Sequence, residues 1–281
     1  MNAIEYAERA HDIFVLSDSF IRIKELIDSE SSTIDDISEV ILLDPALAGT
    51  ILKLANSSFF NYPGKIDTIS KAVLVLGITE VYNLVIAYFT TEAFKNIEAE
   101  PDYLDDFWQK SVDCALMVKF IGCHLKLPNA ERLFILGLLH NLGELVIKQF
   151  SPEELLQCSV NNINEPPWAK QQQIMGFTFG ECTAELLKLW RLPYNLMEPI
   201  RFQDDENLDL ASDETRLLFI AKRVMTVNSL FPGKSYTVML AEEQLGSLNI
   251  DEELLNQAVN YCDMERLGIL SMLNPSASMI Y

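Results

Sequence analysis

The stretch Arg132–Ile147, "RLFILGLLHNLGELVI", decides how the chain is read. It is apolar almost all round, so as a helix it belongs at the centre of a bundle, where no face meets water. Two polar residues, His140 and Asn141, interrupt it. On the His140 face, three and four residues away, lie Gly137, Gly143 and Glu144. Two glycines in a helix cost about 1 kcal/mol each against alanine. They are kept where a neighbour packs very closely or where room is needed. The stretch therefore marks either a tight helix crossing or a pocket.

Outward from it, helical signals recur and strand signals do not. "DPALAGTILKLANS" opens with Asp44 as an N-cap and Pro45 in the first helical position, followed by apolar residues at helical spacing. Gly77 stops the next helix, and Thr79 is the expected cap of the one after. A polar stretch with Pro101, residues 95–105, is the expected boundary. Beyond it the spacing predicts helices near 106–126, 131–150, 152–160, 167–175, 179–190, 194–202, 213–230 and 236–246, with a last pair near 251–261 and 263–273. No run alternates like a half-buried strand, and no hairpin turn sequence occurs. The class is all-α. The expected division is an N-terminal helical lobe over 1–100, a second lobe over 101–230 and a helical extension over 231–281.

Composition narrows the function. The chain has 281 residues, with 41 acidic and 21 basic, a net charge of −20. Such a field repels phosphate backbones and anionic bilayers, so neither nucleic acid nor membrane is an expected partner. No secretory signal is visible at the N-terminus. The apolar stretch Ala72–Phe94 carries Gly77, Glu80 and Asn83 and reads as buried core. Five scattered cysteines without a CxxC pair suggest reduced thiols in the cytoplasm. Three histidines, His11, His124 and His140, are too few for a histidine-rich metal centre. "GKS" at Gly233–Ser235 lacks the earlier glycine of a phosphate loop and follows Pro232.

Several phrases in order, "DPALAGTILKLANSSFF", "ISKAVLVLGITEVYNLV", "FWQKSV", "LFILGLLHNLGELVI" and "AELLKLWRLPYNLMEPI", resemble the HDOD family over roughly residues 15–225. These are bacterial signalling domains related to HD phosphohydrolases. The resemblance implies two packed helical lobes, the second a degenerate HD lobe. It also implies where hydrolytic relatives place metal ligands: on positions that here hold Lys110, His140, Asn141, Phe179, Gln203, Asp204 and Lys222. Only His140 survives as itself, and Asp204 keeps an oxygen. A catalytic metal needs about three protein ligands and an open position. An ammonium about 4 Å from a divalent ion is opposed by roughly 8 kcal/mol at an effective dielectric near 20. The expectation is therefore no metal, no cofactor and no catalytic residue. Lys110 or Lys222 would pair with Asp204 or Glu144 across the old site, which has either collapsed into core or become a small polar pocket.

The pair Asn56-Ser57 offers a similar choice between capping free backbone groups and recognising a partner, and Asp44 shares that family phrase. The function implied is a non-catalytic signalling or regulatory module that contacts an unidentified signalling protein. A small-molecule or nucleotide ligand and an oligomer remain compatible with it. The alternatives are a phosphohydrolase with an atypical site and a nucleotide-binding receptor.

Overall fold

A computed structural model of the chain describes residues 1–29, 31–60, 62–127, 130–159 and 165–273, apart from the side chain of Glu131. The α-helices are α1 (Ala3–Ile13), α2 (Asp18–Asp28), α3 (Ile34–Leu42), α4 (Pro45–Ala55), α5 (Ile69–Leu76), α6 (Ile78–Ala93), α7 (Pro101–His124), α8 (Leu133–Leu139), α9 (Leu142–Phe150) and α10 (Pro152–Gln157). They continue as α11 (Pro167–Met175), α12 (Phe179–Leu189), α13 (Tyr194–Phe202), α14 (Asp213–Leu230), α15 (Glu242–Gly246) and α16 (Glu252–Leu273). Two 3₁₀ turns, Ala130–Arg132 and Tyr236–Val238, complete the described residues, which contain no strand. The protein is all-α.

The chain divides into two compact units. One comprises Val15–Asn96 and Met264–Tyr281. Its helices α2 to α6 gather around Phe20, Ile23, Ile41, Leu47, Ile51 and Val85, all essentially without solvent contact. Asp44 caps α4, its Oδ1 accepting from the amides of Ala46 and Leu47 at 3.0 Å each, with Pro45 at the first helical position. Thr79 is not the cap of α6. Gly77 takes that place with φ of 89° and no side-chain bond, a backbone conformation that favours glycine. There α5 and α6 bend by 120°, and both line the core, so Ala72–Phe94 makes no straight apolar rod.

The other unit comprises Met1–Phe14 and Ile97–Asp263. It differs from the expected second lobe at both ends. Residues 1–14 belong to it because α1 buries Tyr6, Ala7 and Ala10 against α12. Residues 231–263 belong to it as well, since Cys262 Sγ donates to the Asp113 carbonyl and Tyr261 meets Phe120. The expected last helix pair is one helix, α16, because the apolar positions Leu255, Ala258, Cys262 and Ile269 stay in helical register. The expected helix over 236–246 is a 3₁₀ turn followed by α15.

The central stretch also departs from expectation. It is not one helix: α8 ends at Leu139 and α9 starts at Leu142. In a continuous helix the His140 carbonyl would accept from the Glu144 amide. Here it accepts from Gln203 Nε2 at 2.8 Å, and the Glu144 amide turns to the Asn141 carbonyl at 2.9 Å. The window Leu133–Phe150 is apolar enough to cross a membrane by composition, yet 72% of it is buried inside this unit.

Candidate functional site

The glycines of the central stretch serve helix crossings. A Cβ on Gly137 would lie 2.5 Å from the Ala115 Cα of α7, and one on Gly143 would strike the Phe179 carbonyl of α12. The Gly143 amide donates to Thr183 Oγ1 at 2.7 Å, and that hydroxyl donates to the Phe179 carbonyl at 2.8 Å. These contacts pin α7, α9 and α12 around the break, which presents His140 and Asn141 from its two sides.

His140 is buried. Its Nδ1 contacts the Gly137 carbonyl at 2.6 Å. A carbonyl only accepts, so Nδ1 carries the proton and Nε2 keeps its lone pair. Burial first, and then the nearby Lys222 charge, push the imidazole down to about 4, against smaller opposing effects of the Gly137 carbonyl and Asp204. At neutral pH the ring is therefore uncharged.

Lys222 and Asp204 form a buried bidentate pair, Nζ to Oδ1 at 2.7 Å and to Oδ2 at 2.9 Å. Lys222 also lies 5.4 Å from the centre of the Trp168 ring. Arg223, almost fully buried, stacks on the same ring at 4.3 Å and donates to Glu206 Oε1 at 2.7 Å. Burial lowers its pKa, opposed by Glu206. Lys222 and Arg223 are thus both committed to carboxylates.

Glu144 receives two donors, Tyr103 Oη at 2.9 Å and Asn141 Nδ2 at 2.5 Å. Burial raises its pKa, and these bonds together with the Lys110 charge hold the rise in check. Lys110 does not pair with Asp204 or Glu144. It bonds Asp106 one turn away at 2.5 Å, with about half its side chain exposed. Of the lysine pairings expected across the site, the structure contains Lys222 with Asp204.

A cavity of about 160 Å³ opens here, walled by α7, α14, α11 and the break between α8 and α9. Lys110, His140, Asn141, Glu144 and Lys222 line it. Phe179, Gln203 and Asp204 do not. Phe179 is buried at the start of α12, its amide donating to Gln171 Oε1 at 2.9 Å. Gln203 lies behind the break, its Nε2 donating to the carbonyls of His140 and of Ile200 at 2.9 Å. Asp204 faces Lys222. Sequence reasoning missed Ser111, Cys114, Gln171, Thr226 and Tyr103. They carried a signal only in hindsight: Ser111 follows Lys110 directly, and Cys114 and Thr226, small or polar residues of α7 and α14, lie one turn from Lys110 and Lys222.

The donor set does not fit the metal that hydrolytic relatives of the fold hold. Among the described residues no three His, Cys, Asp or Glu side chains approach closely enough to share an ion. Asp204 spends both oxygens on an ammonium, and Asn141 offers only its neutral Oδ1. Gln203 Oε1, buried behind the break without a protein partner, is neutral. An ion would have to displace the Lys222 charge from a buried pair.

In the other unit, Asn56 and Ser57 do structural work. Asn56 Oδ1 accepts from the Ile66 amide at 2.8 Å, and Nδ2 donates to the carbonyls of Ile66 at 2.6 Å and Leu52 at 2.7 Å. The amide thereby closes the loop after α4. Ser57 Oγ donates to the Leu54 carbonyl at 2.6 Å.

Similarity to known proteins agrees with this architecture. A protein from Shewanella amazonensis SB2B, described as a candidate phosphohydrolase, superposes with a TM-score of 0.73 at 24% identity over 96% of this chain and 98% of its own. An HDOD domain protein of unknown function from Geobacter sulfurreducens gives a TM-score of 0.73 at 20% identity, covering 96% and 97%. A candidate signal transduction protein from Marinobacter aquaeolei VT8 gives 0.68 at 24% identity, covering 92% of this chain and 58% of its own. At such identities the likeness is one of fold. An uncharacterized protein of Treponema pallidum (strain Nichols) is 28% identical over 81% of this chain, which spans 44% of that relative's length. The HDOD domain model matches residues 13–206 and ends before α14, so Lys222 lies beyond the match. Because that model covers more than half of the chain, the protein belongs to the HDOD domain family.

Proposed function

We propose that the protein is a non-catalytic regulatory module of bacterial signal transduction, acting through contact with another protein. One observation carries this reading: the place of a metal is taken by the ammonium of Lys222, held bidentately by Asp204 beside a neutral His140. A site built this way lacks the Lewis acid and the activated water that phosphoester hydrolysis requires. Membership of the HDOD family and the fold shared with a candidate signal transduction protein support a signalling role. Contact with a protein is supported by Leu42 and Leu43 at the C-terminal end of α3 and Leu74 on the adjoining α5, all large exposed apolar side chains.

The competing reading, a phosphohydrolase, draws on the fold shared with a candidate enzyme of that class. The two separate in one experiment. Protein purified without chelator is soaked with manganese, iron or zinc, analysed for bound metal and assayed on phosphodiesters and nucleotides. We expect far less than one equivalent of metal and no metal-dependent turnover. Stoichiometric metal together with turnover lost in His140→Ala would overturn the proposal.

A further inference from the structure

The cavity beside His140 survives the loss of metal ligands with polar groups still facing it, and their bonding states define what it can take. Gln171 Oε1 accepts from the Phe179 amide, which leaves the Nε2 donor of a side chain that lines the cavity. The hydroxyl of Thr226 donates to the Lys222 carbonyl at 2.7 Å, so its lone pairs remain to accept. His140 offers Nε2 as an acceptor, since Nδ1 donates to Gly137. Asn141 gives its Nδ2 to Glu144 and keeps Oδ1, again an acceptor. His140 Nε2, Asn141 Oδ1 and Thr226 Oγ1 thus face the cavity as acceptors, alongside the hydroxyls of Ser111 and Ser229, which can donate or accept. Phe107, Pro167, Met225 and Leu230 supply apolar wall.

Charge excludes the obvious ligand class. Both cations at the cavity already hold a carboxylate, Lys222 with Asp204 and Lys110 with Asp106, and Glu144 adds a further acidic group. A phosphate would meet no uncommitted cation among the described lining residues and would face Glu144. An organic cation would meet two ammonium groups. Size sets the rest: a dry cavity of about 150 Å³ holds a benzene-sized molecule, so about 160 Å³ corresponds to on the order of six to ten non-hydrogen atoms.

We propose that this cavity binds a small uncharged molecule with an apolar body and N–H donors, the chemistry of a free nucleobase or an aromatic carboxamide, without turning it over. The donors meet His140 Nε2 and Asn141 Oδ1, and the body packs between Phe107 and Met225. This rests on the non-catalytic reading of the same cavity. The test below is run in chelator without metal, so its failure is distinct from a failure of that reading in the metal assay.

The full chain carries three histidines, so ¹⁵N-histidine labelling gives three resolved rings, of which His140 alone is buried. Adenine and nicotinamide are the probes; inorganic phosphate and AMP are the counter-probes. We expect a saturable change of the His140 Nε2 resonance with at least one neutral probe and none with phosphate. Leu230→Trp places a larger side chain at the partly exposed rim without entering the core. It should weaken neutral-probe binding by roughly tenfold or more, equivalent to about 1.4 kcal/mol, in a chain with unchanged thermal stability. Silence of His140 towards both neutral probes overturns the proposal. So does a response to phosphate, tighter binding of AMP than of adenine, or undiminished binding in Leu230→Trp.

Discussion

His140 is buried, bonded through Nδ1 to the Gly137 carbonyl, and uncharged at neutral pH. Its folded pKa of about 4 lies below the ordinary 6.5, through burial and then Lys222. Between these values the unfolded chain binds a proton that the folded chain refuses. The stability associated with His140 is thus intact above pH 6.5 and is lost as pH falls towards 4. Glu144, raised by burial, works with opposite sign: its share is intact below the ordinary 4.5 and is lost as pH rises through its folded value. Ring resonances followed against pH should show His140 neutral at pH 5, and Lys222→Met should move its titration upward by part of the gap, since burial remains. No upward movement would show that the ammonium does not act on the ring. Lys222 makes a second prediction. Removing one partner of a buried pair typically costs about 3–5 kcal/mol, because the other charge is stranded. Lys222→Met should lower stability in urea by about that amount, and Lys222→Met with Asp204→Leu should recover much of it. An additive double variant would contradict the pairing. The residue types at the expected ligand positions, two lysines among them, were legible in the sequence. Which lysine had found which carboxylate was not, because Lys110 and Lys222 are equivalent as letters. Only geometry shows that Lys110 reaches Asp106, on its own helix, first.

At the scale of elements, the apolar pattern revealed most helices but not their interruption. Nothing local ends α8 at Leu139: the residues after it are good helix formers apart from Asn141 and Gly143. The break depends on Gln203, sixty-three residues away, taking the His140 carbonyl. A bond between such distant positions leaves no periodic trace. The glycines, in contrast, announced close packing, and here the sequence left two readings open because a crossing and a pocket ask for the same residue. Both occur at this place, the glycines making the crossing and the helix break opening the cavity. Alanine substitution separates crossing glycines from idle ones. In a helix, glycine to alanine gains roughly 0.5–1 kcal/mol when nothing is touched. Gly268 of α16 has no atom within 4 Å of a built Cβ, so Gly268→Ala should raise the melting temperature slightly. Gly137→Ala presses a methyl onto the Ala115 backbone of α7 and should cost several kcal/mol, since overpacking typically costs about 1–3 kcal/mol even where side chains can yield. Equal effects from the two substitutions would mean that α7 and α8 do not cross as tightly as described.

On the scale of the whole molecule, chain order and spatial order part company. The expected boundary near residue 100 lies close to the cut before Ile97, because a polar stretch with a proline is visible in any sequence. The sequence puts the first fourteen residues with the N-terminal lobe, whereas they pack with residues 97–263, since an amphipathic helix shows that it has a buried face but not which partner covers it. In the folded chain α1 completes the HD-like unit from outside its sequence range. Ala7 and Ala10 have no solvent contact, Tyr6 Oη bonds Ser151 Oγ at 2.5 Å, Tyr6 packs on Phe177, and Arg9 lies 4.3 Å over Phe150. The carbonyl of Phe14 accepts from Trp190 Nε1 at 3.2 Å. A chain lacking residues 1–14 would therefore expose one face of α12 and strand several polar groups. Burying one large apolar side chain is worth about 1.5–3 kcal/mol, so the combined loss is comparable to the whole stability of an ordinary domain. The shortened chain should keep much of its helical circular dichroism, bind a hydrophobic dye and lose its cooperative thermal transition for this unit. If it instead melts at the temperature of the full chain, α1 contributes no stability, and residues 97–263 form a self-sufficient domain.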